Sequence, residues 1–380
     1  MFFTLEKFER RVQELAQRRY LGLTSIAPLT AMPGTLNPDM PYHGAPPQII
    51  GDSMTIDDTF NGRDRYLWLE KTVCLPPERP DCQVVGLFHF GETGGGFNRG
   101  FESLLYVDGH PYQGVDSYHN EVIFSPYTEA PLRLTFLLWT GLEGGGPQKT
   151  QYHRLQQADI GYLHKTTDTL YYLARAITEA LRLLPQEDEH ASLLTAALDR
   201  ALLCIDWDEE TFYSSVDAAY QTLLTALNQI PKHTDVTVYG IGHTHIDVAW
   251  LWRLKHTREK AQRSFSTALH LMNLYDDYIF LQTQPQLYRY IQEDHPELFE
   301  RIRRKIAEGQ WEADGGMWVE ADCNIPSGES LVRQFLQGTR FLMQEFGQKC
   351  SYLWLPDVFG YSWALPQILK LCEIHTFMTT

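Results

Sequence analysis

The chain has 380 residues, of which 43% are hydrophobic and 21% charged, and its formal net charge is −16. This length exceeds one ordinary domain and allows large buried cores. The acidic balance argues against a nucleic-acid partner, because no basic stripe is available to neutralise a phosphate backbone. The strongest basic cluster, residues 301–305, is best interpreted as a solvated helix face.

The cysteine usage and the N-terminus favour a reducing compartment. The six cysteines are scattered and form no Cys-x-x-Cys pair, which argues against a zinc ribbon. Disulfides are not needed in a chain of this size. The N-terminus is charged from Glu6 onward and has no apolar core, so it does not resemble a signal peptide. No apolar run approaches membrane-spanning length. We therefore expect a cytoplasmic protein without a membrane partner.

The first part of the chain predicts one helix followed by strands. Residues 4–19 carry apolar side chains at helical spacing, and the Pro- and Gly-rich residues 28–47 then interrupt regular structure. Between residues 50 and 140, short apolar runs separated by turn signals indicate an antiparallel β-sandwich. The strand candidates are residues 66–69, 84–90, 104–107 and 132–139. We assign residues 1–149 to an N-terminal domain of one helix and a β-sandwich.

Two glycine-rich segments, residues 91–100 and 141–146, raise the alternative of a phosphate-binding loop. Neither segment has the Walker spacing, and neither leads from a parallel strand into a helix. We interpret both segments as long loops of the sandwich.

Residues 150–230 show helical periodicity. Apolar side chains recur three and four positions apart, among them Tyr162, Leu163 and Leu170. The pattern predicts three helices that form a connector between the sandwich and the last part of the chain. We assign no chemistry to this connector.

Residues 231–380 alternate between strand and helix patterns, which favours a parallel sheet or a barrel. The predicted strands are residues 236–241, 278–282, 310–312, 351–355 and 375–380. The predicted helices are residues 250–274, 285–308 with a break at Pro296, 328–346 and 362–371. Ser327 and Gly347 are typical cap residues for the third helix. Because the last predicted strand reaches the final residue, we expect this chain to be the front part of a longer protein.

Polar side chains follow the ends of these predicted strands, where parallel folds bind their ligands. His243, His245 and Asp247 alternate in extended chain after the first strand, so their side chains point to one side. Asp357 follows the fourth strand. Imidazole and carboxylate ligands suit zinc and similar ions. The spacing allows at most two direct ligands among the first three residues, with the third orienting a ligand.

Aromatic residues lie beside these polar groups in the sequence: Trp250, Trp311, Trp318, Trp354 and Phe359. Flat apolar rings next to polar groups suit the faces of sugars. A carboxylate can attack an anomeric carbon and form a glycosyl-enzyme, while a divalent ion can hold vicinal hydroxyls. The alternatives are a metal-dependent polysaccharide deacetylase and a non-catalytic sugar-binding protein. None of the fourteen histidines forms the His-x-x-x-His pair that such a deacetylase would use.

Three segments resemble glycoside hydrolase family 38, the class II α-mannosidases, most closely its cytosolic and bacterial branch. Residues 242–252 read Gly-His-Thr-His-Ile-Asp-Val-Ala-Trp-Leu-Trp. Residues 315–334 begin Gly-Gly-Met-Trp-Val-Glu-Ala-Asp-Cys-Asn, and residues 354–368 begin Trp-Leu-Pro-Asp-Val-Phe-Gly-Tyr-Ser-Trp. The resemblance implies a multidomain protein in which residues 231–380 form the first part of a (β/α)7-type barrel.

The resemblance also implies roles for single residues. It makes His245, Asp247 and Asp357 ligands of one zinc ion, with Asp357 also acting as the nucleophile of a retaining mechanism. His243 matches a histidine that does not bind the metal and lies behind the ligands. The implied substrate is an α-mannoside or a manno-oligosaccharide.

Substrate contacts and the remaining catalytic groups follow from the same resemblance. Trp250 and Phe359 match aromatic residues that line the sugar site, and Trp318 and Asp322 lie in a motif that contacts substrate. The general acid/base and the last metal-binding histidine are expected beyond Thr380. The fragment alone is therefore expected to be inactive, and the resemblance favours a homo-oligomer.

Overall fold

The computed structural model describes residues 4–34, 41–91, 101–142, 152–185, 187–208, 210–231 and 234–380. Most of the two glycine-rich segments lies outside these residues. The described residues form a mixed α/β structure with several sheets and separate hydrophobic clusters. Among them, no helix combines the length and apolarity needed to cross a lipid bilayer.

The first part of the chain forms antiparallel strands. They are β1 (Tyr20–Ser25), β2 (Leu29–Gly34), β3 (Asp52–Met54), β4 (Thr59–Asn61), β5 (Tyr66–Val73), β6 (Cys82–His89), β7 (Glu102–Val107), β8 (His110–Asp116), β9 (Glu121–Ile123), β10 (Leu132–Trp139), β11 (Tyr152–Arg154) and β12 (Gln157–His164). One sheet has the order β1-β12-β6-β9 and the other β3-β2-β5-β10-β7-β8. Both sheets contribute to one hydrophobic cluster, as expected for a sandwich.

The central strand β10 is buried on both faces, which explains its nearly continuous apolar sequence. Leu134, Phe136 and Leu138 belong to the cluster between the two sheets. Leu137 and Trp139 face the other way and form a second cluster, against which Trp252 of the last part of the chain packs. The sandwich therefore presents an apolar outer face to the part of the molecule that carries the candidate site.

Four helices form a separate layer with its own core: α1 (Thr4–Gln17), α2 (Lys165–Leu183), α3 (Glu189–Leu203) and α4 (Phe212–Gln229). The three predicted connector helices are present. However, α1 packs in this helical core through Phe8, Val12 and Leu15 rather than in the sandwich. Tyr162 and Leu163 were predicted to be helical but lie in β12, which pairs with β1 and β6. Short apolar runs fit strand and helix equally, and here strand pairing decides.

The last part of the chain alternates parallel strands with helices. The strands are β13 (Gly242–His243), β14 (Phe280–Gln282), β15 (Trp311–Ala313), β16 (Tyr352–Leu355) and β17 (Thr376–Thr379). The helices are α5 (Leu254–Leu274), α6 (Pro285–Asp294), α7 (Pro296–Glu308), α8 (Gly328–Phe346) and α9 (Leu365–Leu371). The parallel pairs are β13–β14, β14–β15 and β16–β17, and a bridge from Gly315 to Leu353 joins the two groups. Closure into a seven-stranded barrel stays a prediction.

The predicted strand at residues 236–241 is not observed. Val236, Val238 and Tyr239 are exposed, and regular pairing begins only at Gly242. The reason is the length of the neighbouring strand, because β14 begins at Phe280, directly opposite Gly242. Residues 236–241 therefore have no partner strand among the described residues.

The helix ends predicted at Pro296, Ser327 and Gly347 are confirmed. Pro296 separates α6 from α7, since a proline cannot continue the hydrogen bonding of the preceding helix. The Ser327 side chain accepts a hydrogen bond from the backbone N–H of Ser330 at the start of α8. Gly347 ends α8 with φ of 67°, a left-handed conformation that favours glycine.

Buried polar contacts join α5 to the sandwich. The Lys260 ammonium and the Arg263 guanidinium both pair with Glu102 of β7. The imidazole Nε2 of His270 lies 3.0 Å from the carbonyl oxygen of Ile123 in β9, so it donates a hydrogen bond there as a neutral ring. Burial lowers the pKa of His270 to about 4. The interface therefore favours the neutral form of this histidine, which keeps the proton on Nε2.

We expect stability to fall between pH 6.5 and pH 4. The pKa of an unfolded histidine is about 6.5, so the unfolded chain gains a proton at His270 before the folded chain does. At pH 5 this one group lowers the free energy of unfolding by about 2 kcal/mol relative to pH 7. Urea denaturation at both pH values should show a smaller loss in His270→Asn than in the parent. Equal losses would contradict the assignment.

Candidate active site

Two loops at the carboxyl ends of parallel strands bring three candidate ligands together. His245 and Asp247 lie in the loop between β13 and α5, and Asp357 lies just after β16. The Nε2 atom of His245 is 3.4 Å from Oδ1 of Asp247 and 3.5 Å from Oδ2 of Asp357. One donor atom from each of the three residues lies within 4.8 Å of the other two. The three residues were named from the sequence as metal ligands, and the fold places them at one point.

The burial of His245 fits the role of a metal ligand. Its Nε2 atom is inaccessible to solvent and has no hydrogen-bond partner, although it faces two carboxylates. A buried polar nitrogen without a partner costs free energy, so it points to a group that is not a protein atom. One imidazole nitrogen with two carboxylate oxygens is a donor set that suits a divalent cation such as zinc. Three protein ligands would leave further coordination positions open.

The surroundings of His245 are strongly negative. The carboxylates of Asp247 and Glu320 beside its ring raise the pKa of His245 to about 10. The same carboxylates favour any cation at this point. A divalent ion needs the neutral imidazole, so its binding would release the proton that these carboxylates otherwise hold.

His243 lies behind this group with both ring nitrogens engaged. Its Nδ1 atom lies 3.0 Å from the carbonyl oxygen of Leu281, and its Nε2 atom accepts a hydrogen bond of 3.2 Å from Nε1 of Trp354. Burial lowers the pKa of His243, which favours this neutral tautomer. The ring thus ties β13 to β14 and to β16, which supports a role behind the ligands.

Two residues at the site, Thr283 and Glu320, were not identified from the sequence, and Gln284 was indicated only by its place at a strand end. Glu320 contacts Nδ1 of His245, and its side chain is only 2% exposed. The Thr283 hydroxyl donates a hydrogen bond of 2.6 Å to Glu320. Gln284 donates from Nε2 to the carbonyl oxygen of Ile246 at 2.8 Å and accepts from the Glu320 backbone N–H at 3.2 Å.

The only signal for these residues in the sequence was their place near strand ends or inside a resembling segment. Glu320 lies two residues from both Trp318 and Asp322, in a loop without periodicity. Which carboxylate of that loop faces inward depends on its backbone. Gly315 has φ of 105°, and a Cβ atom there would lie 2.5 Å from Cβ of Thr283. This close approach holds the loop against β14.

The Asp357 loop is held mainly by its own neighbours. The Tyr361 hydroxyl contacts the carbonyl oxygens of Leu355 and Val358. A backbone bridge joins Tyr361 to Cys323 in the loop that follows β15. The Asp357 side chain stays 69% exposed, so it is open to a substrate while its backbone is fixed.

The predicted sugar contacts fall into two groups. Trp250 is half-exposed and packs edge-on against Trp252 at 5.5 Å, and the Phe359 ring is fully exposed. Both rings are open to a ligand. Trp318 instead donates its indole N–H to Gln286 at 2.9 Å and packs against the core. Its substrate contact stays a prediction.

The side chains of Asp322 and Trp311 also make hydrogen bonds within the protein. Oδ1 of Asp322 accepts the backbone N–H groups of Asn324 and Ile325 at 2.8 and 2.9 Å, which closes a turn. Trp311 was expected beside the site but is buried in the hydrophobic core, where its indole N–H donates to Tyr288 at 2.7 Å. The expectation for Trp311 was wrong, because its side chain points from β15 toward the helices.

Residues 235–380 match the sequence model described as "Glycosyl hydrolases family 38 N-terminal domain". The chain belongs to glycosyl hydrolase family 38. The matched residues include every strand and helix that carries the candidate site. The family assignment therefore rests on the same part of the chain as the cluster of His245, Asp247 and Asp357.

Curated members of the family are similar over most of this chain. "Alpha-mannosidase G" of Dictyostelium discoideum is 38% identical over 342 residues, covering 85% of this chain and 30% of the relative. "Alpha-mannosidase 2C1" of Homo sapiens is 34% identical over 398 residues, covering 99% and 37%. "Alpha-mannosidase" of Saccharomyces cerevisiae is 36% identical over 266 residues, covering 67% and 24%. The chain thus spans about a third or less of the length of these relatives.

The similarity to one solved structure is weak and does not bear on the fold. A structure titled "The structure of CBM51-2 in complex with GlcNAc and INT domains from Clostridium perfringens ZmpB" has a TM-score of 0.19 at 12% sequence identity. It covers 60% of this chain and 47% of its own.

We expect this protein to bind one divalent cation at His245, Asp247 and Asp357. Replacing Asp247 by Asn removes a charged ligand, so the affinity for zinc should fall by at least about a hundredfold. Competition with a chromophoric chelator measures this affinity. His110→Ala, which changes an exposed histidine of β8, should leave it unchanged. Equal losses in both variants would show that zinc binds elsewhere.

Proposed function

We propose that residues 235–380 supply the metal ligands and the nucleophile of a retaining, zinc-dependent α-mannosidase. The observation that carries this proposal is the meeting of His245, Asp247 and Asp357 within 4.8 Å at the ends of parallel strands. Membership of glycosyl hydrolase family 38 and the names of the similar relatives support the substrate class. The substrate would be an α-mannoside or a manno-oligosaccharide.

The proposed cofactor is one zinc ion held by His245, Asp247 and Asp357. The buried, unpartnered Nε2 atom of His245 supports this assignment. When bound, such an ion would hold vicinal hydroxyls of the sugar and stabilise negative charge on them. Glu320 orients the His245 ring through Nδ1, and Gln284 holds the backbone between His245 and Asp247.

Asp357 is the proposed nucleophile. Its carboxylate is exposed to substrate, and the contacts of Tyr361 with the same loop limit its movement. In the proposed reaction one carboxylate oxygen attacks the anomeric carbon, and the glycosidic oxygen leaves with a proton from a general acid. Water then attacks the glycosyl-enzyme and releases mannose with retained configuration. The two carboxyl groups of such a pair lie about 5–5.5 Å apart.

Trp250 and Phe359 are the proposed walls of the sugar site, because both rings are exposed close to the ligands in sequence. Trp318 and Asp322, on the loop that carries Glu320, are proposed as further substrate contacts. Cytoplasmic location and a homo-oligomeric state stay predictions from the sequence and the family.

We expect Asp357→Ala in the full-length protein to reduce hydrolysis of an aryl α-mannoside by at least about a thousandfold. Without the carboxylate, no covalent intermediate forms. Added azide should restore turnover by attacking the anomeric carbon directly, and should yield the β-mannosyl azide as the aryl leaving group departs. Product analysis by NMR identifies the anomer.

The control is Asp277→Asn, which alters an exposed carboxylate far from the ligands in sequence and should keep full activity. Removal of the metal with a strong chelator should abolish activity in the parent, and added zinc should restore it. Undiminished hydrolysis by Asp357→Ala would rule out Asp357 as the nucleophile.

A further inference from the structure

Glu320 is a buried carboxylate without a lysine or arginine partner among the described residues. Its side chain is 2% exposed, and its ion-pair contacts are with two histidines. Oε2 contacts Nδ1 of His245, whereas Oε1 lies 3.9 Å from Nε2 of His243. Burying a carboxylate costs several kcal/mol unless specific partners offset the lost hydration. The hydrogen bonds of Glu320 therefore indicate what this buried carboxylate does.

The contact with His245 determines which ring nitrogen is available. When Nδ1–H donates to Glu320, the proton of the neutral ring is on Nδ1 and the lone pair is on Nε2. Nε2 is the atom that faces Asp247 and Asp357 at 3.4 and 3.5 Å. The opposite tautomer would place a proton on the atom that must bind a cation. Glu320 thus favours the tautomer that a metal needs.

Glu320 is itself held in place from two directions. The Thr283 hydroxyl donates to Oε1 at 2.6 Å, and this bond leaves Oε2 for His245. Gln284 links the Glu320 backbone N–H to the carbonyl oxygen of Ile246, which lies between His245 and Asp247. The loop that carries Glu320 and the loop that carries His245 and Asp247 are therefore connected by both side-chain and backbone contacts.

We propose that Glu320, fixed by Thr283, is the positioning residue that presents Nε2 of His245 to a divalent cation and thereby sets the affinity of the site. This inference rests on the proposed metal site. A carboxylate that accepts from a metal-bound histidine fixes the ring orientation and makes the ligating nitrogen more basic. Loss of such a partner weakens metal binding about 10- to 100-fold.

The test measures zinc affinity by competition with a chromophoric chelator, together with the visible spectrum of the cobalt(II)-loaded chain. Glu320→Gln keeps the size of the side chain but removes its charge, so the affinity should fall about 10- to 100-fold. Thr283→Val keeps the shape but removes the hydroxyl that orients Glu320, and should cause a smaller loss. In both variants the cobalt absorption bands should shift, because the histidine ligand changes its donor strength.

The matched control is Glu259→Gln. Glu259 is a buried carboxylate of α5 that accepts a hydrogen bond of 2.7 Å from the Tyr66 hydroxyl, away from the metal ligands. This variant alters another buried carboxyl group, so it reports any general effect on folding. Its zinc affinity and cobalt spectrum should equal those of the parent.

The outcomes separate the two proposals. If the parent binds zinc, Asp247→Asn does not, and Glu320→Gln binds as tightly as the parent, then the inference about Glu320 is wrong while the metal site stands. If the parent and Asp247→Asn bind zinc equally or not at all, both proposals are overturned. Should Glu320→Gln fail to fold, as judged by circular dichroism, Thr283→Val decides: unchanged affinity and spectrum overturn the inference.

Discussion

The contact between Glu320 and Nδ1 of His245 is the constraint on which the site depends. It joins the loop after β15 to the loop after β13, and it leaves Nε2 directed at two carboxylates. The arrangement places several negative groups around one imidazole, which is unfavourable without a cation. Thr283 and Gln284 at the end of β14 connect the two loops. The site is thus built from four strand ends, those of β13, β14 and β15 together with that of β16, which precedes Asp357.

The sandwich supports this site although it supplies none of the candidate ligands. α5 begins seven residues after Asp247 and packs along the outer face of the larger sheet. Paired charges between Glu102 and α5 fix the position of that helix. The loop that carries His245 and Asp247 connects β13 to α5. Because the sandwich fixes α5, it also limits how far this loop can move. α5 therefore links the position of the sandwich to the position of His245 and Asp247.

Much of this arrangement could be predicted from the sequence, because local signals were strong where they agreed with tertiary structure. β10 and the caps at Ser327 and Gly347 appear where the pattern predicted them. Prediction failed where pairing with a strand distant in sequence determines the secondary structure. β12 is a strand because β1 and β6 pair with it, and residues 236–241 are unpaired because β14 is short. Glu320 was missed because no local pattern indicates which side chain of an irregular loop faces inward.

His245, Asp247 and Asp357 are proposed to hold one divalent cation. The most direct measurement is a crystal structure of this chain grown with zinc, with diffraction data collected above and below the zinc absorption edge. We expect one anomalous peak within about 2.0–2.2 Å of Nε2 of His245 and of one carboxylate oxygen each from Asp247 and Asp357. A peak bound through Nδ1 of His245, or no peak between these three side chains at saturating zinc, would contradict it.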